Sequence, residues 1–228
     1  MKIAKEKSIA EKKGRRKMKV RTVSEKEYTW EEIKDILAAG KAKETFGIEG
    51  QLTIKIDGKK EAVLNILDYD KDRVTEQGVN TMTVQFRDLI FPELPFDENG
   101  CNRWKKSSIR EYLNGKEFKD MIEEDFRKMI IPAIKECDSD EETVDDFFLL
   151  SREEMEDEDR KYARFQTEKD RAKADEYGTT DWHWTRSALR GNSCNTWCVH
   201  SHGGVTIITA TNALRFAPAC VIGAKAIH

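Results

Sequence analysis

Between Ser187 and Ala213 the chain all but stops using charge: the 27 residues SALRGNSCNTWCVHSHGGVTIITATNA carry one charged side chain, Arg190, in a protein that is 36% Asp, Glu, Lys and Arg. At that background about ten would be expected. A solvated helix or loop has no reason to shed them, whereas paired strands with a packed face do. The Val, Ile and Thr content favours sheet, and Gly203-Gly204 predicts a turn between strands at 197–202 and 205–211. Period-two alternation then places Cys198, His200 and His202 on one face and Trp197, Val199 and Ser201 on the other. On the second strand Thr206, Ile208 and Ala210 oppose Ile207, Thr209 and Thr211.

Upstream, Thr29-Trp30-Glu31-Glu32 has capping-box spacing before Ile33, Ile36 and Leu37, which predicts a short amphipathic helix over 29–39 with Gly40 as its stop. Residues 51–56 alternate, Asp57-Gly58 turns, and 62–67 resumes a strand-like run, the pattern of a β-hairpin. A strand is expected at 81–86. Ser108-Ile109-Arg110-Glu111 predicts a capped helix closed by Asn114-Gly115, and a longer amphipathic helix follows over about 117–129. Val144–Leu150 reads as a strand feeding a third capping box, Ser151-Arg152-Glu153-Glu154. Hairpins, helices and a β-rich end without a fixed repeat point to an α+β fold, in one domain over 28–228.

Charge is polarised along the chain. Residues 1–20 carry nine Lys and Arg against Glu6 and Glu11, so 1–27 is expected to be a basic flexible arm. No aromatic interleaves those cations to stack a base, so nucleic acid is not the expected partner, and a virion or other assembly is the alternative for an acidic counter-surface. The block from Asp138 to Asp159 is mainly acidic, lacks calcium-loop spacing, and reads as a solvated face. No run approaches the roughly 18 apolar residues that span a bilayer, and the Lys-rich start lacks a signal peptide's apolar stretch, so the expectation is no membrane insertion and a cytoplasmic location. Five cysteines at irregular spacing read as reduced thiols. Cys194, Cys198, His200 and His202 have a spacing that permits four zinc ligands, yet two of them share one extended strand and no second ligand pair exists. Neither metal nor cofactor is therefore expected.

The segments Trp182-His183-Trp184-Thr185-Arg186-Ser187, Asn195-Thr196-Trp197-Cys198-Val199, Gly203-Gly204-Val205 and Arg215-Phe216-Ala217-Pro218-Ala219-Cys220-Val221-Ile222 resemble the bacterial and phage domain-of-unknown-function family 6273. Asn102-Arg103-Trp104, Ser107–Leu113 and Phe148-Leu149-Leu150-Ser151 with Glu154 extend the resemblance to roughly residues 40–228. The family is similar to C-type-lectin-like and formylglycine-generating-enzyme-like folds. The resemblance thus implies a twisted antiparallel sheet with flanking helices that presents a C-terminal surface, the variable region in proteins diversified by retroelements. Only Trp197 in 187–213 lies outside the residue set that adenine mutagenesis of Asn codons can reach, and Ala188 stands where the family often has Pro.

By this resemblance Trp182, Trp184, Arg186, Pro218 and Ala219 are scaffold positions. Arg190, Asn192, Asn195, Trp197, His200, His202, Thr206, Thr209, Thr211 and Asn212 are the ligand-facing candidates of a hairpin over about 187–213. The implied function is a non-enzymatic, phage- or prophage-encoded module that binds a protein or glycan. The alternatives are a structural virion or host-interaction protein anchored by its basic arm, and a metal-dependent enzyme. Catalysis lacks support in the residues: the Cys194–Cys198 gap is not that of a formylglycine-generating enzyme, nothing identifies a group to orient a Cys198–His200 pair, and the calcium motifs of C-type lectins are missing.

Overall fold

The computed structural model describes the backbone of residues 18–21, and residues 26–137 and 141–227 in full. Most of the expected basic arm lies outside the described residues; of it, Met18–Arg21 forms β1, antiparallel to β2 (Glu27–Tyr28). The Thr29 capping box starts α1 (Trp30–Ala38): the Thr29 hydroxyl accepts from the Glu32 amide at 3.2 Å and the Glu32 carboxylate accepts from the Thr29 amide at 2.7 Å. Ile33 and Leu37 are buried, and the Asn80 amide closes the far end by donating to the Leu37 and Ala38 carbonyls. After α2 (Ala42–Phe46), β3 (Gln51–Ile56) and β4 (Lys60–Tyr69) form the expected hairpin, turning where Asp57 and Gly58 take φ of 50° and 69°.

The next strand, β5 (Val79–Phe86), is buried on both sides along most of its length. Met82, Val84 and Phe86 enter the apolar core. On the other side Thr81, Thr83 and Gln85 find hydrogen-bond partners in Asp70, Asp72 and the Ala217 carbonyl. β6 (Leu94–Pro95), α3 (Ser108–Asn114), α4 (Lys116–Met121), α5 (Glu124–Arg127), β7 (Ala133–Glu136), β8 (Glu142–Asp145) and α6 (Glu153–Glu156) carry the chain to β9 (Lys173–Ala174) and β10 (Thr180–Asp181). The C-terminal stretch is β11 (His183–Ala188), β12 (Asn195–Val199), β13 (Val205–Thr209), β14 (Ala213–Leu214) and β15 (Ala219–Lys225).

Three boundaries and the burial of one segment differ from expectation. The cap of α3 is Ser107, whose hydroxyl accepts from the Arg110 amide at 3.3 Å; Ser108 instead uses its hydroxyl to accept from the Glu98 amide. The single helix expected over 117–129 is two, because Ile122 leaves helical geometry to bridge Ile56 while the Glu123 carboxylate accepts from the Lys55 amide at 2.8 Å. The strand expected over 144–150 ends at Asp145, and Phe148 then bridges Ala219. The acidic block is not wholly solvated: Asp145 is buried, accepting from the Trp104 indole at 2.9 Å, the Thr143 hydroxyl and the Arg110 guanidinium, and Glu154 is buried too.

The architecture is mixed α and β, with mostly antiparallel sheets, one of them curled into a half-barrel, and few helices. Six strands in the order β15-β5-β4-β3-β1-β2 form the large sheet, and α1 packs against β5 and β15. A separate three-stranded sheet, β11-β12-β13, is linked to the large one through residues 148–150, where Phe148 bridges Ala219 of β15 and the Leu150 carbonyl accepts from the Arg186 amide of β11. Among the described residues no helix is long and apolar enough to cross a membrane.

Candidate functional site

Beneath the small sheet lies a dense ionic cluster. The Ser151 capping box forms, with the Ser151 amide donating to Glu154 Oε2 at 2.9 Å and the Glu154 amide donating to Ser151 Oγ at 3.1 Å. The same carboxylate accepts from both terminal guanidinium nitrogens of Arg186, Nη2 at 2.7 Å, and from Lys135 Nζ at 2.8 Å. Lys135 also pairs with Asp72, donates to the Tyr162 hydroxyl at 2.9 Å, and lies 3.9 Å from the Phe148 ring centroid. Burial would raise the Glu154 carboxyl's pKa, but Arg186 and Lys135 outweigh it and hold the group well below the usual carboxylate range. Burial, with Glu154 and Asp72 nearby, pushes the Tyr162 phenol up. The cluster borders a cleft of about 210 Å³, and the ionic groups at its base are paired within the chain, as a structural cluster requires.

The cluster holds the hairpin above it through α6. Arg152 donates to Glu156 at 2.7 Å and lies 4.3 Å from the Trp197 ring centroid, while its amide donates to Ser187 Oγ. Glu156 also faces Arg171 at 3.5 Å, and Arg171 Nε donates to the Gly203 carbonyl at 2.8 Å. Gly203 has φ of 95°, and a Cβ there would lie 1.9 Å from the Glu168 carbonyl oxygen, so only glycine lets the hairpin tip seat against the 168–171 turn. On the flank, the Asn102 side-chain amide donates to the Asn192 and Asn195 carbonyls at 2.6 and 2.7 Å and fixes the loop between β11 and β12.

This seating shortens the first strand of the hairpin relative to expectation. β12 ends at Val199, so His200 and His202 sit on the loop, with the His202 amide donating to His200 Nδ1 at 3.1 Å. Their ring centroids are 5.7 Å apart, and His200 is 6.2 Å from Trp182. Trp182, a scaffold position by resemblance, is exposed; Trp184, Arg186, Pro218 and Ala219 are buried. Asn195, Trp197 and Thr209 share one face, in which Asn195 pairs Thr209 and Trp197 pairs Ile207. Thr206 pairs the buried Cys198 on the opposite face. Arg190, Thr211 and Asn212 are exposed at the loops, and Asn192 is half-buried with Oδ1 occupied by the Cys194 and Asn195 amides.

Sequence reasoning missed Ile207, 42% exposed, because the β-rich pattern marks it as core. It also missed Arg152, Arg171, Lys135 and Asp72, which are distant in sequence from the hairpin and give no local signal. The buried thiols of Cys198 and Cys220 are poor nucleophiles: burial pushes Cys198 up to about 12 and Cys220 up further. Cys198 is buried whereas Cys194 is exposed, and among the described residues no three His, Cys, Asp or Glu side chains converge as metal ligands.

No curated protein and no solved structure shows significant similarity to the chain. A family model does match, that of DUF6273, a domain of unknown function, over residues 81–224. Its span begins at β5, later than the resemblance suggested, and contains the Asn102 anchor, the Glu154–Arg186 cluster and the whole hairpin. The chain belongs to the DUF6273 family.

Proposed function

We propose that the chain is a non-enzymatic ligand-binding or display module of C-type-lectin-like architecture, encoded by a phage or prophage, that recognises a protein or glycan through its C-terminal hairpin surface without metal or cofactor. One observation carries the reading: exposed His202 and Thr209 stand on a hairpin whose tip is already seated by Arg171 and Gly203, and exposed Trp182 lies beside that tip, 6.2 Å from His200. Such a surface has its order set by folding, so a ligand need not supply it. An indole beside imidazoles offers an apolar plate with hydrogen-bonding edges, which suits a sugar ring or a peptide side chain. In this reading the basic residues before Met18 dock the module to a virion or other assembly, and retroelement diversification would act on 187–213.

The test is binding of the labelled full chain, in EDTA, to immobilised bacterial surface glycans and envelope proteins, with Trp182→Ala/His202→Ala alongside. The expected result is a signal that survives chelation and falls at least about tenfold in the variant at unchanged melting temperature, the size of one lost contact of about 1.4 kcal/mol. Equal binding by both proteins would refute the assignment of the surface.

A further inference from the structure

The hydrogen-bond phase of β12 and β13 leaves one strand edge open. At its two ends the ladder is pinned by the Ala210 amide donating to the Cys194 carbonyl at 2.8 Å and the His200 amide donating to the Gly204 carbonyl at 2.9 Å. Antiparallel alternation then commits Thr206 and Ile208 to Cys198 and Thr196, and turns the backbone N–H and C=O groups of Val205, Ile207 and Thr209 outward. Of these, the Thr209 carbonyl accepts from the Asn212 amide; among the described residues the others have no partner.

Other strand edges are managed. The outer edge of β11 is covered by the Arg215 and Leu150 carbonyls, and that of β15 by residues 129–131 and Phe148. β7 is covered by Arg73 and Val74, β2 is two residues long, and β8 carries Glu142 and Asp145. Charge, brevity and cover are the devices that keep sheets from adding strands. β13, Val-Thr-Ile-Ile-Thr, has none of them, and no charged residue or proline lies between Ser201 and Ala213.

We propose that this edge pairs with the β13 of a second copy of the chain, antiparallel about a twofold axis at Ile207. The strand is self-complementary in that register. Ile207 meets Ile207 of the second copy, Val205 meets Thr209, and Thr206 meets Ile208, so β-branched side chains oppose one another and no charge opposes a charge. Ile207 bonds reciprocally across the axis, and each Thr209 amide reaches the other copy's Val205 carbonyl. On one face Trp197 and Ile207 of each copy line up in a single row across the axis, because Trp197 pairs Ile207 within each hairpin. The result joins two three-stranded sheets into one and sets two hairpin surfaces side by side. This inference does not depend on what those surfaces bind.

The experiment is sedimentation equilibrium of the full chain with Ile207→Lys and Ile207→Glu, singly and mixed in equal amounts. Wild type is expected to dimerise with a Kd of about 10–100 µM, the range of small interfaces. Each variant should weaken that at least about tenfold, since like charges then face each other at the axis, and the mixture should recover a dimer. Recovery on mixing cannot come from misfolded protein. Amide exchange gives a reading on unaltered protein: the Ile207 and Thr209 amides should become protected as concentration rises, while Thr206 and Ile208 are protected throughout. A wild type that stays monomeric to about 1 mM, a dimer indifferent to both substitutions, or exchange at these amides independent of concentration would each overturn the proposal.

Discussion

Two buried bases should make this protein's stability climb with pH on both sides of neutrality. His183, at the start of β11, is 2% exposed; its ring hydrogen-bonds the Asp181 backbone, its Nδ1 has no partner, and burial with Lys173 nearby lowers its pKa from 6.5 to about 3. Lys173 is buried with its ammonium donating to the Phe86 carbonyl at 2.8 Å, and burial with the Arg164 charge nearby lowers it from 10.5 to about 7. Both folded values lie below the unfolded ones, so in each window the unfolded chain holds a proton that the folded chain does not. Stability is therefore lost as pH falls from 6.5 towards 3 for His183, and gained as pH rises from 7 towards 10.5 for Lys173. Either limb has a slope of about 1.4 kcal/mol per pH unit, or about 0.5 M in urea midpoint. Above about pH 9 the trend should reverse, because the raised thiol pKa values of Cys198 and Cys220 make the unfolded chain the better acid. The assay is urea unfolding followed by tryptophan fluorescence from about pH 5 to 8.5, the interval that both slopes span. His183→Gln should flatten the acid limb alone and Lys173→Met the alkaline limb alone. A wild-type midpoint flat from neutrality to about pH 8.5, or a slope that survives in Lys173→Met, would refute the argument.

Two further outcomes follow from the cluster and the tip. Glu154→Gln leaves Arg186 and Lys135 facing a neutral amide in a buried site, and should cost about 3–5 kcal/mol of unfolding free energy; a loss under about 1 kcal/mol would show that the cluster is solvated. Gly203→Ala combines φ of 95° with a Cβ 1.9 Å from the Glu168 carbonyl. It should cost about 2–3 kcal/mol and expose the 168–171 turn to limited proteolysis, whereas wild-type resistance would mean that the tip is not seated there.

Where local chemistry decides the structure, the sequence is a sufficient guide. The Thr29 capping box, the alternation of Leu52, Ile54 and Ile56, and the Asp57-Gly58 turn each act within a few residues, and each forms as the pattern implies. Expectation failed where a distant partner outweighs local preference. Ile122 has the periodicity of a helix, but its pairing with Ile56 offers a sheet contact that an isolated helix cannot match. Asp145 and Glu154 look like members of a solvated acidic block, and only Trp104, Arg110, Arg186 and Lys135 make them buried. At the hairpin, alternation assigns the two faces of β12 and β13 correctly but cannot say where the strand stops, because Arg171 and the Gly203 contact with Glu168 pull the chain into a loop at His200.

That pull links the deepest ionic pair to the outermost loop. Arg186 and Glu154 fix α6; Glu156 on α6 meets both Arg152, over Trp197, and Arg171, on the Gly203 carbonyl. The tip is thus held from behind by residues outside 187–213, among them Arg186, seated in the interior, and by the backbone of Gly203. Side chains such as Arg190, Thr211 and Asn212 are exposed, and no hydrogen bond or ion pair of theirs enters this chain of contacts. Substituting them should leave the scaffold's stability within about 0.5 kcal/mol, whereas a change at Gly203 or Arg171 reaches the frame. A surface built this way separates what must be kept from what can be exchanged, which is the physical requirement for one fold to present different recognition chemistries.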